Sequence, residues 1–283
     1  MNAIFRDYDR AGLDAQYNNR AMVPDHGIVL ADWAERSAEV RRCVRAELDI
    51  PYGSGPRERL DFFPAERRHA PIHMFFHGGY WRALDKASFS FPAPNFAAAG
   101  ISYAPIAYPL APAASMADIV SSVEQAFAWL VANAEKLGGD PRRISVSGHS
   151  AGGHLLAMLA AAQTGLGARM IGGVAISGIY DLEPIRLSYL NDAINLDAEI
   201  VRKYSPLRHV SSGGPPLSLA VGARESAEFH RQQDDFGAAW RRADNELHAV
   251  LELADHDHFS IVGDLAKSDS DLFAAVCGHA LSS

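Results

Sequence analysis

The chain reads as an α/β protein built on an eight-stranded, mostly parallel sheet with helices on both faces. Three observations predict this. Short β-branched runs alternate with amphipathic helical runs over most of the chain. The first two strand-like runs are joined by a short Gly/Pro-containing link, Pro51 to Pro56, which marks an antiparallel edge hairpin. A G-x-S-x-G pentapeptide stands where a strand passes into a helix. The 283 residues suit one large α/β unit spanning 1–283.

Residues 1–40 are polar and helix-leaning, with a break at Val23-Pro24-Asp25, and are expected to form a small N-terminal helical arm or lid. Strands are expected at Val40–Leu48, Glu58–Phe63, Ile72–Phe76, Ile101–Ile106, Ile144–Val146, Gly173–Ile176, Leu217–Val221 and Leu247–Leu253. Helices are expected at Met116–Leu137, Ala151–Gln163, Ala227–Arg242 and Ile261–Leu281. In the first of these, Ile119, Val123, Phe127 and Leu130 recur three or four apart, which draws one apolar face. The later strands are separated by helices, so they pair in parallel. The stretch from 180 to 208 fits this alternation less well and is expected to add to a lid.

Gly148-His149-Ser150-Ala151-Gly152 is the G-x-S-x-G match. Such a pentapeptide arises by chance in roughly one chain in ten of this size, so its context decides. Ile144-Ser145-Val146 precedes it and a helix-forming run follows. A sharp strand-to-helix turn thrusts the serine hydroxyl out at the sheet edge, and the flanking glycines give the turn room. The start of the next helix favours a developing negative charge there. Ser150 is therefore the candidate nucleophile, in an α/β-hydrolase layout.

Phe75-Phe76-His77-Gly78-Gly79-Tyr80-Trp81 follows the third strand, where loop donors to an oxyanion belong. The backbone N–H groups of Gly79, Tyr80 and Ala151 are the candidate donors, with His77 shaping the loop. The base must follow the last strand, and Asp255-His256-Asp257-His258-Phe259 lies there. His258, next to the following helix, is the candidate base, and His256 competes. The acid belongs after the seventh strand, which selects Glu225, with Asp181 and Glu228 as substitutes. The alternating Asp and His could also hold a metal, yet no second ligand cluster accompanies them, so no metal and no cofactor are expected.

A net charge of −8 disfavours nucleic acid as a partner. No apolar run approaches membrane-spanning length and no secretory h-region opens the chain, so a cytoplasmic protein without membrane contact is expected. A small-molecule substrate is the expected partner, and a homodimer is compatible with the sequence. The two cysteines, Cys43 and Cys277, read as buried free thiols.

His77-Gly78-Gly79-Tyr80-Trp81, the elbow from Gly148 to Gly153 and the terminal His258-Phe259 resemble the kynurenine formamidase (arylformamidase) group of the esterase/lipase branch. Gln16-Tyr17-Asn18-Asn19-Arg20 with Val23-Pro24-Asp25, and Ser226 to Gln232, are similar to formamidase-like bacterial hydrolases. Glu225 departs from the Asp usual in that group. The resemblance implies hydrolysis of an N-formyl arylamine such as N-formylkynurenine. It also implies an apolar slot for the aromatic amine, with Tyr17, Tyr80, Trp81 and Phe229 as candidate walls and His149 beside the nucleophile. A short-acyl carboxylesterase, or a hydrolase of another small amide, uses the same residues. A non-catalytic ligand-binding protein on this fold would be expected to have lost the serine or the histidine, and both are present.

Overall fold

The computed structural model describes residues 3–161 and 169–281. An N-terminal arm of three helices, α1 (Arg10–Tyr17), α2 (Asn19–Met22) and α3 (His26–Cys43), precedes the sheet. The strands are β1 (Glu47–Pro51), β2 (Arg59–Phe62), β3 (Ala70–Phe76), β4 (Ser102–Ile106), β5 (Gly139–His149), β6 (Gly172–Ile176), β7 (Leu217–Gly222) and β8 (Leu247–Leu253). Between and after them come α4 (Ala93–Ala98), α5 (Met116–Asn133), α6 (Ala151–Ala161), α7 (Glu183–Arg186), α8 (Asn191–Ile194), α9 (Ala198–Tyr204), α10 (Ala227–Arg242) and α11 (Asp271–Ala280).

All eight strands form one sheet in the order β1-β2-β4-β3-β5-β6-β7-β8. The first two junctions are antiparallel and the rest parallel. This is the expected α/β-hydrolase architecture, edge hairpin included. The central β3 is buried throughout, as a strand covered on both faces must be. Its Ile72, Met74 and Phe76 join one apolar cluster with α5, α6 and α10, while Phe75 joins the other with α3, α4 and α11. α5 starts with a capping box between Ser115 and Asp118 and buries the predicted face of Ile119, Val123, Phe127 and Leu130.

Several expectations need correction. Val40 to Cys43 finish a helix rather than start a strand. α3 is held there by Trp33 against Phe89 and by Arg41 on Asp61, and these tertiary contacts override the β-branched residues. The C-terminal run is two elements, a 3₁₀ helix over Ser260–Ala266 and α11, because Ser270 caps a new helix through the Phe273 N–H. α6 is described to Ala161, and its expected end at Gln163 lies outside the described residues. Cys43 is exposed and Cys277 half-buried, both free, since Cys43 ends α3 away from the face that carries Trp33 and Ser37.

Three buried histidines set an expected pH response. His73 lies between the hydroxyls of Ser145 and Ser147, His77 stacks on Tyr108, and His154 bridges Trp81 and the Tyr204 carbonyl. Desolvation pulls His73 down from 6.5 to about 3 and His77 and His154 to about 4. The unfolded chain therefore takes up protons below about pH 6.5 that the folded chain refuses until about pH 4. Stability should be level above that window and fall through it, by up to about 1.4 kcal/mol per pH unit for each responding histidine. Scanning calorimetry from neutral pH downward checks this, and an unchanged Tm down to pH 5 would contradict it.

Candidate active site

β5 ends at His149 and α6 begins at Ala151, so Ser150 alone makes the turn. Its φ of 57° is left-handed, an unfavourable conformation for a serine. The surroundings hold it there: its N–H donates to the Ile176 carbonyl at 2.8 Å, and its own carbonyl accepts from the His154 N–H at 3.1 Å. A Cβ on Gly152 would overlap the Phe76 carbonyl, and one on Gly148 would overlap the Gly152 backbone, so the elbow closes only with glycine at both places.

The structure brings together Ser150, His258 and Glu225. His258 Nε2 lies 3.0 Å from Ser150 Oγ, and Nδ1 lies 2.6 Å from Glu225 Oε2. A carboxylate only accepts, so Nδ1 carries the proton and Nε2 offers its lone pair to the serine hydroxyl. Glu225 sits in the turn after β7, with its N–H on the Gly222 carbonyl. Its Oε1 accepts from Ser177 Oγ at 2.5 Å and from the Gly222 N–H at 2.8 Å. All three side chains are nearly buried, with His258 5% exposed. Phe229 packs on the His258 ring at 4.5 Å, and His149 Nε2 donates to the His258 carbonyl at 2.8 Å. Burial, with His258 beside it, holds His149 well below its ordinary pKa, so it stays neutral.

The competing residues are engaged elsewhere. His256 meets Asp264 at 3.0 Å. Asp181 accepts from the Glu183 N–H at the start of α7. Glu228 takes the Tyr17 hydroxyl and the Arg231 guanidinium. Among the described residues no three His, Cys, Asp or Glu side chains converge as metal ligands do.

Opposite the histidine runs the loop after β3. His77 Nδ1 donates to the Gly78 carbonyl at 2.8 Å, and the Tyr108 hydroxyl donates to the His77 carbonyl at 2.7 Å. The backbone N–H groups of Gly79 and Tyr80 meet no acceptor among the described residues. That of Ala151 opens α6. Together they can stabilise the negative charge that develops on a carbonyl oxygen when Ser150 attacks its carbon.

Ser150 and His258 lie on the wall of a cavity of about 250 Å³. Gly79, Tyr80 and His149 also line it, as does the arm through Asn19, Arg20, Leu30 and Trp33. Of the expected substrate-binding residues, Tyr80 and His149 reach the cavity, whereas Tyr17, Trp81 and Phe229 do not. Trp81 turns inward to His154, and Tyr17 and Phe229 pack on each other at 5.7 Å behind the site. The sequence reading missed Ser177, which fixes the acid, and the wall residues Leu30, Trp33, Tyr189 and Phe259. Asn19 and Arg20, inside the Asn18-Asn19-Arg20 run, and Phe259, next to His258, carried a local signal. Among the described residues no helix is long and apolar enough to cross a membrane.

A doubly covered, mostly parallel sheet with a serine, a histidine and a carboxylate in hydrogen-bonded sequence at its carboxyl edge defines a serine hydrolase of the α/β-hydrolase fold. Residues 60–170 match the BD-FAE family model. The chain is 30% identical over 254 residues to kynurenine formamidase of Danio rerio, covering 86% of this chain and 84% of that one. It is 27% identical to esterase LipQ of Mycobacterium tuberculosis, covering 84% and 64%. A crystal structure from Silicibacter sp. tm1040 superposes with a TM-score of 0.82 at 31% identity over 93% of this chain and 98% of that one. The chain belongs to the kynurenine formamidase family and is a hydrolase acting on small amides or esters.

Proposed function

We propose that the protein hydrolyses an N-formyl arylamine, such as N-formylkynurenine, to formate and the free amine. The observation that carries this reading is the Ser150–His258–Glu225 relay opening into a small cavity walled by Leu30, Trp33, Leu84 and Phe259. A formyl group needs little room beside the Gly79 and Tyr80 N–H groups, and the apolar walls suit a single aromatic ring.

In this mechanism Ser150 Oγ attacks the formyl carbon while His258 Nε2 takes its proton. Gly79, Tyr80 and Ala151 N–H groups stabilise the oxyanion, and Glu225 stabilises the imidazolium. His258 returns the proton to the departing amine nitrogen. Water, deprotonated by the same imidazole, then attacks the formyl ester, and formate leaves as Ser150 regains its proton. No cofactor takes part, and no membrane or nucleic acid is needed. The chain acts as one cytoplasmic unit in this reading, with α2 and α3 of the arm and Tyr189, between α7 and α8, walling the substrate cavity.

A short-acyl carboxylesterase is the second reading, supported by the likeness to esterase LipQ. Comparing kcat/KM on N-formylkynurenine and on p-nitrophenyl acetate separates the two. The formamide is expected to be at least as good a substrate; an ester preference of several orders of magnitude would remove the formamidase reading.

A further inference from the structure

We infer that the mouth of the cavity is an anion subsite, in which Arg20 and Arg82 bind a carboxylate carried by the leaving group. The inference rests on the hydrolase reading above and adds the charge class of the substrate.

Of the fourteen residues lining the cavity, two are arginines and none is Asp or Glu. This reverses the balance of the chain, which has 34 acidic against 26 basic residues. Neither guanidinium makes a hydrogen bond or ion pair with any described residue. Elsewhere the arginines beside the core are occupied: Arg41 on Asp61, Arg57 on Asp85 and Arg231 on Glu228. Among the described residues no carboxylate lines the wall beside these two guanidinium groups, so both keep their donors available to an anion.

The two groups come from separate parts of the chain and meet at this cavity. Arg20 belongs to α2, and Arg82 follows the loop that presents the Gly79 and Tyr80 N–H groups. Both draw down the hydroxyl of Tyr189, another lining residue, against the burial that raises it. Asp14 opposes them there, but its carboxylate is already taken by the Tyr189 N–H at 2.8 Å and by Arg10. Arg20 is tied to the loop through its neighbour Asn19, whose amide donates to the Tyr80 hydroxyl at 3.1 Å.

The arrangement has a direction. Ser150 is 1% exposed at the inner end of the cavity, while Arg20 and Arg82 are exposed at the outer end. A substrate with its scissile carbonyl at Ser150 therefore extends its leaving group towards the arginines. A carboxylate there meets two planar forks that match its geometry. An ammonium meets no counter-charge on the wall. The preferred class is an aryl amide or ester whose leaving ring bears a carboxylate.

The test measures kcat/KM for formamidobenzoate over formanilide and, in parallel, for acetoxybenzoate over phenyl acetate. Each ratio cancels effects common to both substrates of its pair, and its change between proteins cancels their intrinsic reactivities. In the native protein both ratios should exceed those for hydroxide-catalysed hydrolysis. Arg82→Gln or Arg20→Gln should each lower them roughly tenfold, and Arg82→Lys less. Rising salt should act in the same direction. Both side chains are exposed and unpaired, so these variants retain the fold. If formamides are not cleaved but the ester ratio behaves in this way, the formamidase reading falls and the anion subsite stands. If either pair is turned over with a ratio that neither arginine changes, the subsite is overturned. Calorimetric titration with benzoate reads the same preference without turnover: binding should weaken in Arg82→Gln, and equal affinity in both proteins would also overturn it.

Discussion

Replacing Ser150 with alanine is expected to lower kcat by about 10⁶-fold, with KM changed little. The hydroxyl makes its decisive interaction only as the covalent bond forms, so its loss removes transition-state stabilisation rather than ground-state binding. A residual rate of about 10³–10⁴ over uncatalysed water attack should survive, because the Gly79, Tyr80 and Ala151 N–H groups still polarise a bound carbonyl. His258 should add little to that residue, since a base without its nucleophile can only act on water. Alanine retains a Cβ in the left-handed turn, so the backbone demand at position 150 is unchanged and the variant should fold. Steady-state rates on a formamide and an ester check this. Retention of more than about a hundredth of the native rate would contradict the assignment, being far above the residue expected without the nucleophile.

Glu225→Gln is expected to lower kcat by about 10⁴-fold, the scale of loss when a triad carboxylate becomes an amide. The reason lies in the donors around it. Oε1 already accepts from the Gly222 N–H and Ser177 hydroxyl, and the Gly222 donor cannot turn away. The amide oxygen of glutamine must settle there, which directs its NH₂ at His258 Nδ1. Two donors cannot face each other, so the imidazole proton moves to Nε2 and the lone pair facing Ser150 is lost. Asp181→Asn should leave kcat within a few-fold, because its carboxylate serves the α7 N-terminus. Equal activities for Glu225→Gln and the native protein, with a large loss in Asp181→Asn, would move the acid to Asp181.

The parts of this site that were legible in the sequence are those encoded by local geometry. The elbow is a strand, a tight turn and a helix in consecutive residues, so Gly148, Ser150 and Gly152 carry their own explanation. The glycine loop after β3 and the histidine after β8 follow from chain order. The carboxylate that meets His258 was legible despite its extra methylene, because the turn from Gly222 to Glu225 folds back on itself and the longer side chain still reaches the ring.

What escaped is what the chain assembles from distant pieces. Trp33 and Leu30 reach the cavity because α3 packs into the apolar cluster with Phe75 and Phe89, anchored by Arg41 on the buried Asp61. No periodicity in residues 26–43 announces that contact, and Val40 and Val44 suggest a strand instead. Ser177 holds the acid from the end of β6, again in a left-handed conformation that its own sequence does not advertise. Tyr17, Trp81 and Phe229 show the opposite error. Aromatic residues near motif positions suggest a binding slot, yet all three support the catalytic loop and helices from behind.

The most direct test of the account is covalent labelling by a fluorophosphonate, followed by intact mass and peptide mapping. One adduct per chain is predicted, on Ser150, absent from Ser150→Ala and formed more slowly in Glu225→Gln. A folded protein that takes no adduct, or carries it on a different serine, would contradict the claim that His258 activates the hydroxyl at the elbow.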